Sequence, residues 1–209
     1  MLRIPAVVCV SIFLFCSFFP ASGEENSSSA PSYTADGQLV FPANYREWIY
    51  LTSGIDMSYF QSGMGMDHSM FDTVFVNPEA YKSFLQTGTW PDKTMLVLEV
   101  RKAGSNASIN KSGHFQTTEL MGREVHVKDE SRFPGKWAFF GFDDKDTARM
   151  VPKEAACYSC HEQHGAVDTT FVQFYPTLID LAKQKGTLSA AYVKEEAAAS
   201  GKKESKSSH

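Results

Sequence analysis

The stretch REVHVKDESRFPGKWAFFGF, residues 123–142, decides the fold class of this chain. Its first part, residues 124–128, alternates polar and apolar side chains, as expected for an antiparallel strand with one buried face. Its last part, residues 137–142, is a run of aromatic and small residues of strand length. The stretch therefore predicts two strands of an antiparallel sheet.

Further short segments on the N-terminal side of this stretch are rich in β-branched or aromatic residues, which favours strands. They are residues 48–52, 71–76, 95–101 and 115–120, and the quoted stretch adds 123–127 and 137–142. Gly122 separates two neighbouring segments and indicates a tight hairpin.

Three helices are predicted around these strands. The first has Asn77 as its N-cap and Pro78 in its first turn, and it ends at Gly88. The second runs from about residue 153 through residue 161, and the third covers residues 176–185 and ends at Gly186. The predicted fold class is α+β, an antiparallel β-sheet with packed helices.

The first residues carry the pattern of a secretory signal peptide. Arg3 precedes an apolar run over residues 7–19, and the small residues 21–23 precede Glu24. The run is shorter than the roughly 20 residues that cross a bilayer, which favours cleavage over a retained anchor. We therefore expect residues 1–23 to be removed and the mature chain to be periplasmic or otherwise exported.

Two polar segments flank the expected domain at residues 37–186. Residues 24–36 are rich in serine and residues 187–209 contain few large apolar groups, so a disordered leader and a disordered tail are predicted. The composition, 43% hydrophobic and 13% aromatic, suffices for a packed core around a prosthetic group. The net charge of -4 disfavours a nucleic-acid partner.

Residues 157–161, CYSCH, carry the chemistry of this sequence. The chain has four cysteines, and only Cys157 and Cys160 lie outside the expected signal peptide. Two thiols at this spacing add to the two vinyl groups of haem, and His161 then binds the iron as the proximal ligand. A redox dithiol has no need of the following histidine, and a zinc site needs two more ligands. The motif therefore predicts one covalently attached haem c.

The haem motif stands close to the C-terminal end of the domain, after several strands. Five further runs accompany it: FPANYREW at 41–48, VFVNPEAY at 74–81, VKD at 127–129, WAFFGF at 137–142 and FVQFYP at 171–176. In their order and spacing, these runs and the haem motif resemble the cytochrome P-460 family over about residues 41–183.

This resemblance implies a mostly β fold, a homodimer and a five-coordinate haem with an open distal site. Hydroxylamine-oxidising members carry an additional bond between a lysine and the haem edge, whereas the similar cytochrome c′-β members lack it and bind gases such as nitric oxide. Aligned without a gap, the position of that lysine falls on Leu98, so we expect the bond to be absent. Ala156 stands where some members carry a carboxylate that assists proton removal, and on a helix Glu154 points elsewhere.

Other iron or metal ligands have weaker support. Residues 57–70 combine methionines with His68, which suits Cu(I), but their glycines favour an adaptable loop. A methionine that closes the sixth position of the haem iron is an alternative. His126 is expected to point toward solvent, His164 is too near the proximal side, and His114 stays open as a sixth ligand.

Seven phenylalanines form the pool from which the haem walls and the core are expected to be built. They are Phe71, Phe75, Phe115, Phe133, Phe139, Phe140 and Phe142.

The sequence thus predicts an exported monohaem c-type cytochrome with an open distal iron site, which binds a small ligand such as nitric oxide or transfers electrons. A hydroxylamine-oxidising enzyme is the first alternative, and a six-coordinate electron carrier is the second. The expected partners are a small gaseous or nitrogenous ligand, an unidentified redox protein and a second copy of the chain.

Overall fold

The computed structural model describes residues 29–57 and 69–207, with side chains up to residue 201. The expected signal peptide at 1–23, the start of the leader, and most of the methionine-rich segment (58–68) lie outside the described residues.

Seven strands and four helices follow one another within the described residues. They are β1 (Leu39–Val40), β2 (Ile49–Ile55), β3 (Met70–Val76), α1 (Pro78–Thr87), β4 (Met95–Gly104), β5 (Phe115–Lys128), β6 (Trp137–Phe142), β7 (Thr147–Ala148), α2 (Ala156–His164), α3 (Ile179–Lys185) and α4 (Ala190–Ser207). Short 3-10 turns cover Tyr45–Glu47 and Val172–Phe174.

The main sheet contains five strands in the order β2-β3-β4-β5-β6, and every neighbouring pair is antiparallel. Strands β1 and β7 form a separate antiparallel pair. The predicted α+β class is therefore confirmed. Consecutive strands are joined by local connections, and the predicted strands at 48–52, 71–76, 95–101 and 137–142 overlap β2, β3, β4 and β6.

The hairpin predicted at Gly122 is wrong, because β5 runs without a turn from Phe115 to Lys128. Gly122 pairs with Val100 of β4, and the register between the two strands shifts just beyond this pair. A glycine inside a strand often marks such an irregularity rather than a chain reversal.

The two faces of the sheet carry different packing. Directly paired residues of neighbouring strands point to the same face. One face is covered by the N-terminal segment in a cluster that includes Phe41, Tyr45, Phe75, Met95, Val97, Val125, Val127 and Phe140. At one end of the other face, helices α1 and α3 cover a second cluster that includes Val76, Phe84, Trp90, Leu96, Trp137, Leu178 and Ala182.

The ends of the helices agree with their sequence signals. Helix α1 begins at Pro78 and ends at Gly88, which adopts φ of 77°. Gly186 closes α3 with φ of 69°. These left-handed values favour glycine, which lacks a Cβ. Helices α2 and α3 both begin three residues later than predicted.

The tail differs from its prediction, since residues 190–207 form α4 where a disordered segment was expected. Alanine, lysine and glutamate in this segment are strong helix formers. The Ser189 hydroxyl accepts the Tyr192 backbone N–H at 3.1 Å, and Tyr192 packs against the second core cluster. Helix propensity together with these contacts orders a segment that has few large apolar groups of its own.

Part of the predicted disordered leader is also placed against the domain. Tyr33 forms an isolated antiparallel β-bridge with Leu39. The Arg132 guanidinium lies 3.8 Å from the ring centre of Tyr33. The Tyr33 hydroxyl donates to Asp129 at 3.3 Å. One aromatic side chain therefore fixes a segment that composition alone predicts to be unfolded. None of the helices within the described part of the chain has the length and apolar character needed to span a bilayer.

Candidate functional site

Helix α2 carries the cysteines and the histidine of the haem motif. Cys157 and Cys160 are free thiols, each partly exposed, and their spacing places them on one side of the helix. His161 follows directly and is partly buried. The three predicted haem-binding side chains are therefore close together at the surface where α2 meets the sheet.

Contacts with β6 hold α2 in place. The Tyr158 hydroxyl donates to the Val151 carbonyl at 3.0 Å and accepts the Phe139 N–H at 3.3 Å. Lys153 donates to the Trp137 carbonyl at 2.8 Å, and its ammonium lies 4.1 Å from the Tyr158 ring centre. These bonds fix the N-terminal end of α2, which has no side-chain cap of its own.

His161 has the hydrogen bond that a metal-binding histidine needs. Its Nδ1 lies 2.7 Å from the carbonyl oxygen of Thr169. Because a carbonyl only accepts, Nδ1 carries the proton and Nε2 keeps a free lone pair. Burial lowers the pKa of His161, which favours the neutral ring. The residue is therefore oriented as an axial haem ligand would be.

The Thr169 carbonyl is brought to His161 by a tight loop after α2. A Cβ at Gly165 would lie 2.6 Å from the His161 carbonyl oxygen and 2.9 Å from the Thr170 nitrogen, so only glycine permits this approach. Thr170 donates to the Val167 carbonyl at 2.7 Å and accepts from the Trp90 indole at 2.8 Å. Thr169 could not be identified from the sequence, because nothing in its local pattern marks a backbone carbonyl as a partner of His161.

Aromatic rings surround His161. Phe171 and Phe139 lie 4.1 and 4.6 Å from its ring centre, and His126 lies at 5.1 Å. Of the seven phenylalanines in the predicted pool, Phe139 reaches this site, whereas Phe75, Phe133, Phe140 and Phe142 belong to the cluster on the opposite face of the sheet. Phe171 lay outside the pool.

The expectation that His126 points toward solvent is wrong, because the residue is only 8% exposed. Alternation assigned it correctly to the face opposite Val125 and Val127, but α2 and its following loop cover that face. Burial, together with the nearby His161 and Lys153, holds the pKa of His126 well below its usual range. His126 is therefore a neutral group inside the site.

Next to His126, the same sheet face continues with partly exposed residues. Leu98 of β4 pairs with Val74 on one side and Glu124 on the other. Asp72 follows one row further on, opposite Val100. Helices α1 and α3 lie over the other end of this face. This open part of the sheet borders the haem motif.

Two carboxylates on this open face have raised pKa values. Desolvation raises the pKa of Glu124. Desolvation is also the main cause of the raised pKa of Asp72, with the nearby Glu124 and Asp56 adding to it. Neither residue was identified from the sequence, because a carboxylate in a strand is ordinarily read as a solvated group.

Of the remaining predicted histidine candidates, those within the described residues are exposed, and the other lies outside the described residues. His114 is exposed near the start of β5, and the strand from Phe115 to His126 spans roughly 35 Å at about 3.3 Å per residue. His164 is exposed and lies 2.9 Å from Glu195 of α4. His68 and most of its segment fall outside the described residues.

The prediction that a helical rotation points Glu154 away from Ala156 is wrong. Helix α2 begins at Ala156, so Glu154 precedes the helix. Both are exposed.

A cavity of about 460 Å³ opens beside Cys160. Phe171 and Phe174 contribute apolar walls, and Tyr192 and Glu195 of α4 close one side. The aromatic walls and the adjacent Cys160 suit a flat apolar group held by this cysteine.

The donor set as a whole fits a haem of the c type. Two free thiols, a histidine with Nε2 available and a surrounding set of aromatic rings match the chemistry of that group.

Comparison with known proteins agrees with this donor set. No curated protein sequence matches the chain. A family model described as Cytochrome P460 matches residues 42–172, which is more than half of the chain and includes the haem motif. The matched range ends before α3 and α4. The chain therefore belongs to the cytochrome P460 family of haem proteins.

Proposed function

We propose that this chain is an exported monohaem c-type cytochrome whose iron keeps an open distal position for a small ligand such as nitric oxide. The observation that carries the proposal is the hydrogen bond from His161 Nδ1 to the Thr169 carbonyl, 2.7 Å long, because it leaves Nε2 for the metal. When bound, the haem supplies an iron that takes up a diatomic ligand or exchanges one electron.

Cys157 and Cys160 would hold this haem through two thioether bonds. Both thiols are free and lie on the same helix as His161, so one segment supplies the whole attachment. Phe139 and Phe171 exclude water from the proximal ring and fill the space around it.

An open distal site is supported by where the described histidines lie. His164 is engaged by Glu195 on the surface of α2, and His114 is at the far end of β5. On the partly exposed face beside Asp72 and Glu124, Leu98 and Val74 provide apolar contacts for a small uncharged ligand.

The position of Leu98 also supports the absence of a lysine bond to the haem. Leu98 lies on the same sheet face as His126, one pair further along β4 and β5. A lysine there would reach toward the haem edge, but leucine offers no nucleophile.

A second candidate function, hydroxylamine oxidation, is favoured by Glu124. Its carboxylate lies on the haem-side face directly opposite Leu98, and desolvation raises its pKa, which is the direction that suits a proton-exchanging group. Glu124 would then take the role for which Ala156 has no carboxylate.

Optical spectra of the ferrous holoprotein test the proposed function. We expect a high-spin five-coordinate spectrum that changes on addition of nitric oxide or carbon monoxide. A low-spin spectrum that does not respond to either gas would overturn the proposal in favour of a six-coordinate electron carrier.

Two further measurements separate the parts of the proposal. Haem should stay with the acid-denatured wild type and with Ser159→Ala, and should be lost from the double variant Cys157→Ala, Cys160→Ala. Brisk turnover of hydroxylamine with an artificial electron acceptor, reduced at least tenfold in Glu124→Gln, would establish the enzyme instead.

A further inference from the structure

We propose that His126 is a positioning residue, which sets the ring orientation of the iron ligand His161 through Thr169. The inference rests on the proposed role of His161 as the axial haem ligand. His126 lies near the C-terminal end of β5, so it reaches the site from the sheet rather than from the haem motif.

Thr169 contacts both histidines. Its carbonyl oxygen accepts from His161 Nδ1 at 2.7 Å, and its hydroxyl oxygen lies 3.5 Å from His126 Nε2. The contact with His126 is long for a hydrogen bond, and it involves the Thr169 hydroxyl and not the Thr169 carbonyl. Thr169 therefore sits between the two rings.

This arrangement places His126 beside the Nδ1 edge of His161. The iron would bind at Nε2, on the other side of the ring. The two rings also touch edge to face, at 77° and 5.1 Å, which leaves no room for a macrocycle between them. His126 is therefore a neighbour of the proximal ligand and not a second axial ligand.

The His126 ring is itself fixed. It stacks on Phe139 at 3.9 Å and 13°, and it lies 4.4 Å from the Trp137 ring centre. Both aromatic residues come from β6, whose register with β5 places Phe139 directly opposite His126. A ring held on this side by the sheet gives His161 a rigid surface to rest against.

An apolar residue would fill the same space without the cost of burying an imidazole. Within the described part of the chain, the long contact with Thr169 is the one polar contact of the His126 ring, which points to a role in orienting His161 rather than in packing alone. Because the partner of a ligating histidine sets its orientation and basicity, a change at His126 should alter the iron–histidine bond.

Resonance Raman spectra of the ferrous holoprotein and its reduction potential test this inference. His126→Leu and Thr169→Val should shift or broaden the iron–histidine stretching band and shift the potential. Thr169→Ser keeps the hydroxyl and should restore both values. Gln163→Ala, an uncharged and exposed change on the same helix as His161, should leave them unchanged.

Wild-type band and potential in both His126→Leu and Thr169→Val would overturn the inference. If His126→Leu does not fold, the comparison of Thr169→Val with Thr169→Ser decides alone. A wild type that is already six-coordinate and low-spin would contradict the proposed open site, while the shift in potential between variants would still report on His126.

Discussion

At the scale of single residues, the face of the sheet opposite His126 holds a buried carboxylate. The Glu99 side chain is 1% exposed, and Arg46 and Arg101 donate to it at 2.6 and 2.8 Å. Tyr45 adds a further hydrogen bond. Burial by itself would raise the pKa of Glu99, but these hydrogen bonds outweigh burial and lower it to about 2. Glu99 therefore ties the segment before β2 to the centre of β4.

We expect Glu99→Gln to make the domain less stable by about 3 kcal/mol at pH 7, the equivalent of lowering the pKa from 4.5 to about 2. A lowered folded-state pKa stabilises fully above the unfolded value near 4.5, and this contribution disappears as the pH falls toward 2. Urea unfolding of the wild type and of Glu99→Gln between pH 7 and pH 2 should therefore show that their difference in unfolding free energy becomes smaller below pH 4.5.

The matched control is Glu119→Gln. Glu119 lies 3.2 Å from Lys102, but its side chain is 58% exposed, so the change should cost under about 1 kcal/mol at any pH. If the difference in unfolding free energy between the wild type and Glu99→Gln stays constant down to pH 2.5, packing and not charge is its cause.

At the scale of elements, the register of β4 decides which of its residues share a sheet face with His126. Seven consecutive pairs with β3, beginning at Leu96, and six with β5, beginning at Met95, place Leu98 on that face without a shift. Lys93 precedes the strand and binds Asp129, and Lys102 follows the irregularity and binds Glu119. Neither lysine occupies the position of Leu98.

We therefore expect tryptic digestion of the holoprotein to yield haem on the peptide around residues 157–161 and on no other. Mass spectrometry of haem-containing peptides checks this. Haem joined also to a peptide containing Lys93, Lys102 or Lys111 would mean that a lysine bond forms in spite of the register.

Helix α4 depends on its N-terminal cap. The Ser189 hydroxyl accepts the Tyr192 N–H at 3.1 Å and donates to the Gly165 carbonyl at 2.6 Å, next to α2. Loss of such a cap costs about 1 kcal/mol of helix stability. Ser189→Ala should therefore speed amide hydrogen exchange in residues 190–196 about fivefold while the sheet exchanges as before.

Ser200→Ala is the control, because the Ser200 hydroxyl only donates to the Glu196 carbonyl at 3.0 Å within the same helix. It should leave exchange in residues 190–196 unchanged or slower. Equal acceleration in both variants would contradict a capping role for Ser189.

At the scale of the whole molecule, the outer part of β5 exposes apolar side chains. Phe115, Leu120 and Met121 are 38%, 41% and 38% exposed, and β6 pairs with β5 only from Arg123 onward. A group of exposed apolar residues at an uncovered strand is typical of a protein interface. This surface is our candidate for the dimer contact that the family resemblance implies.

We expect light scattering of the purified holoprotein to give the mass of two chains, and Leu120→Glu with Met121→Glu to give the mass of one. Val193→Glu, at a residue that is 50% exposed on α4, should remain dimeric. A monomeric wild type would refute the dimer, and a dimeric double variant would place the interface elsewhere.

The sequence by itself determined most of the fold. Residues 71–76, 95–101 and 137–142 lie within the strands observed, and Pro78, Gly88 and Gly186 mark observed helix ends. These features follow from periodicity and from the conformational limits of proline and glycine, which act within a few neighbouring residues. The haem motif is local in the same sense.

Only the tertiary structure decided how the site is completed. Alternation shows which residues share a face but not what covers that face, so the sequence predicted His126 to point toward solvent although α2 and its following loop bury it. The carbonyl of Thr169 carries no side-chain signal, and it meets His161 through a loop that Gly165 allows to close. Contacts with α2 and the core hold helix α4 in place, and these contacts cannot be read from the composition of the helix itself.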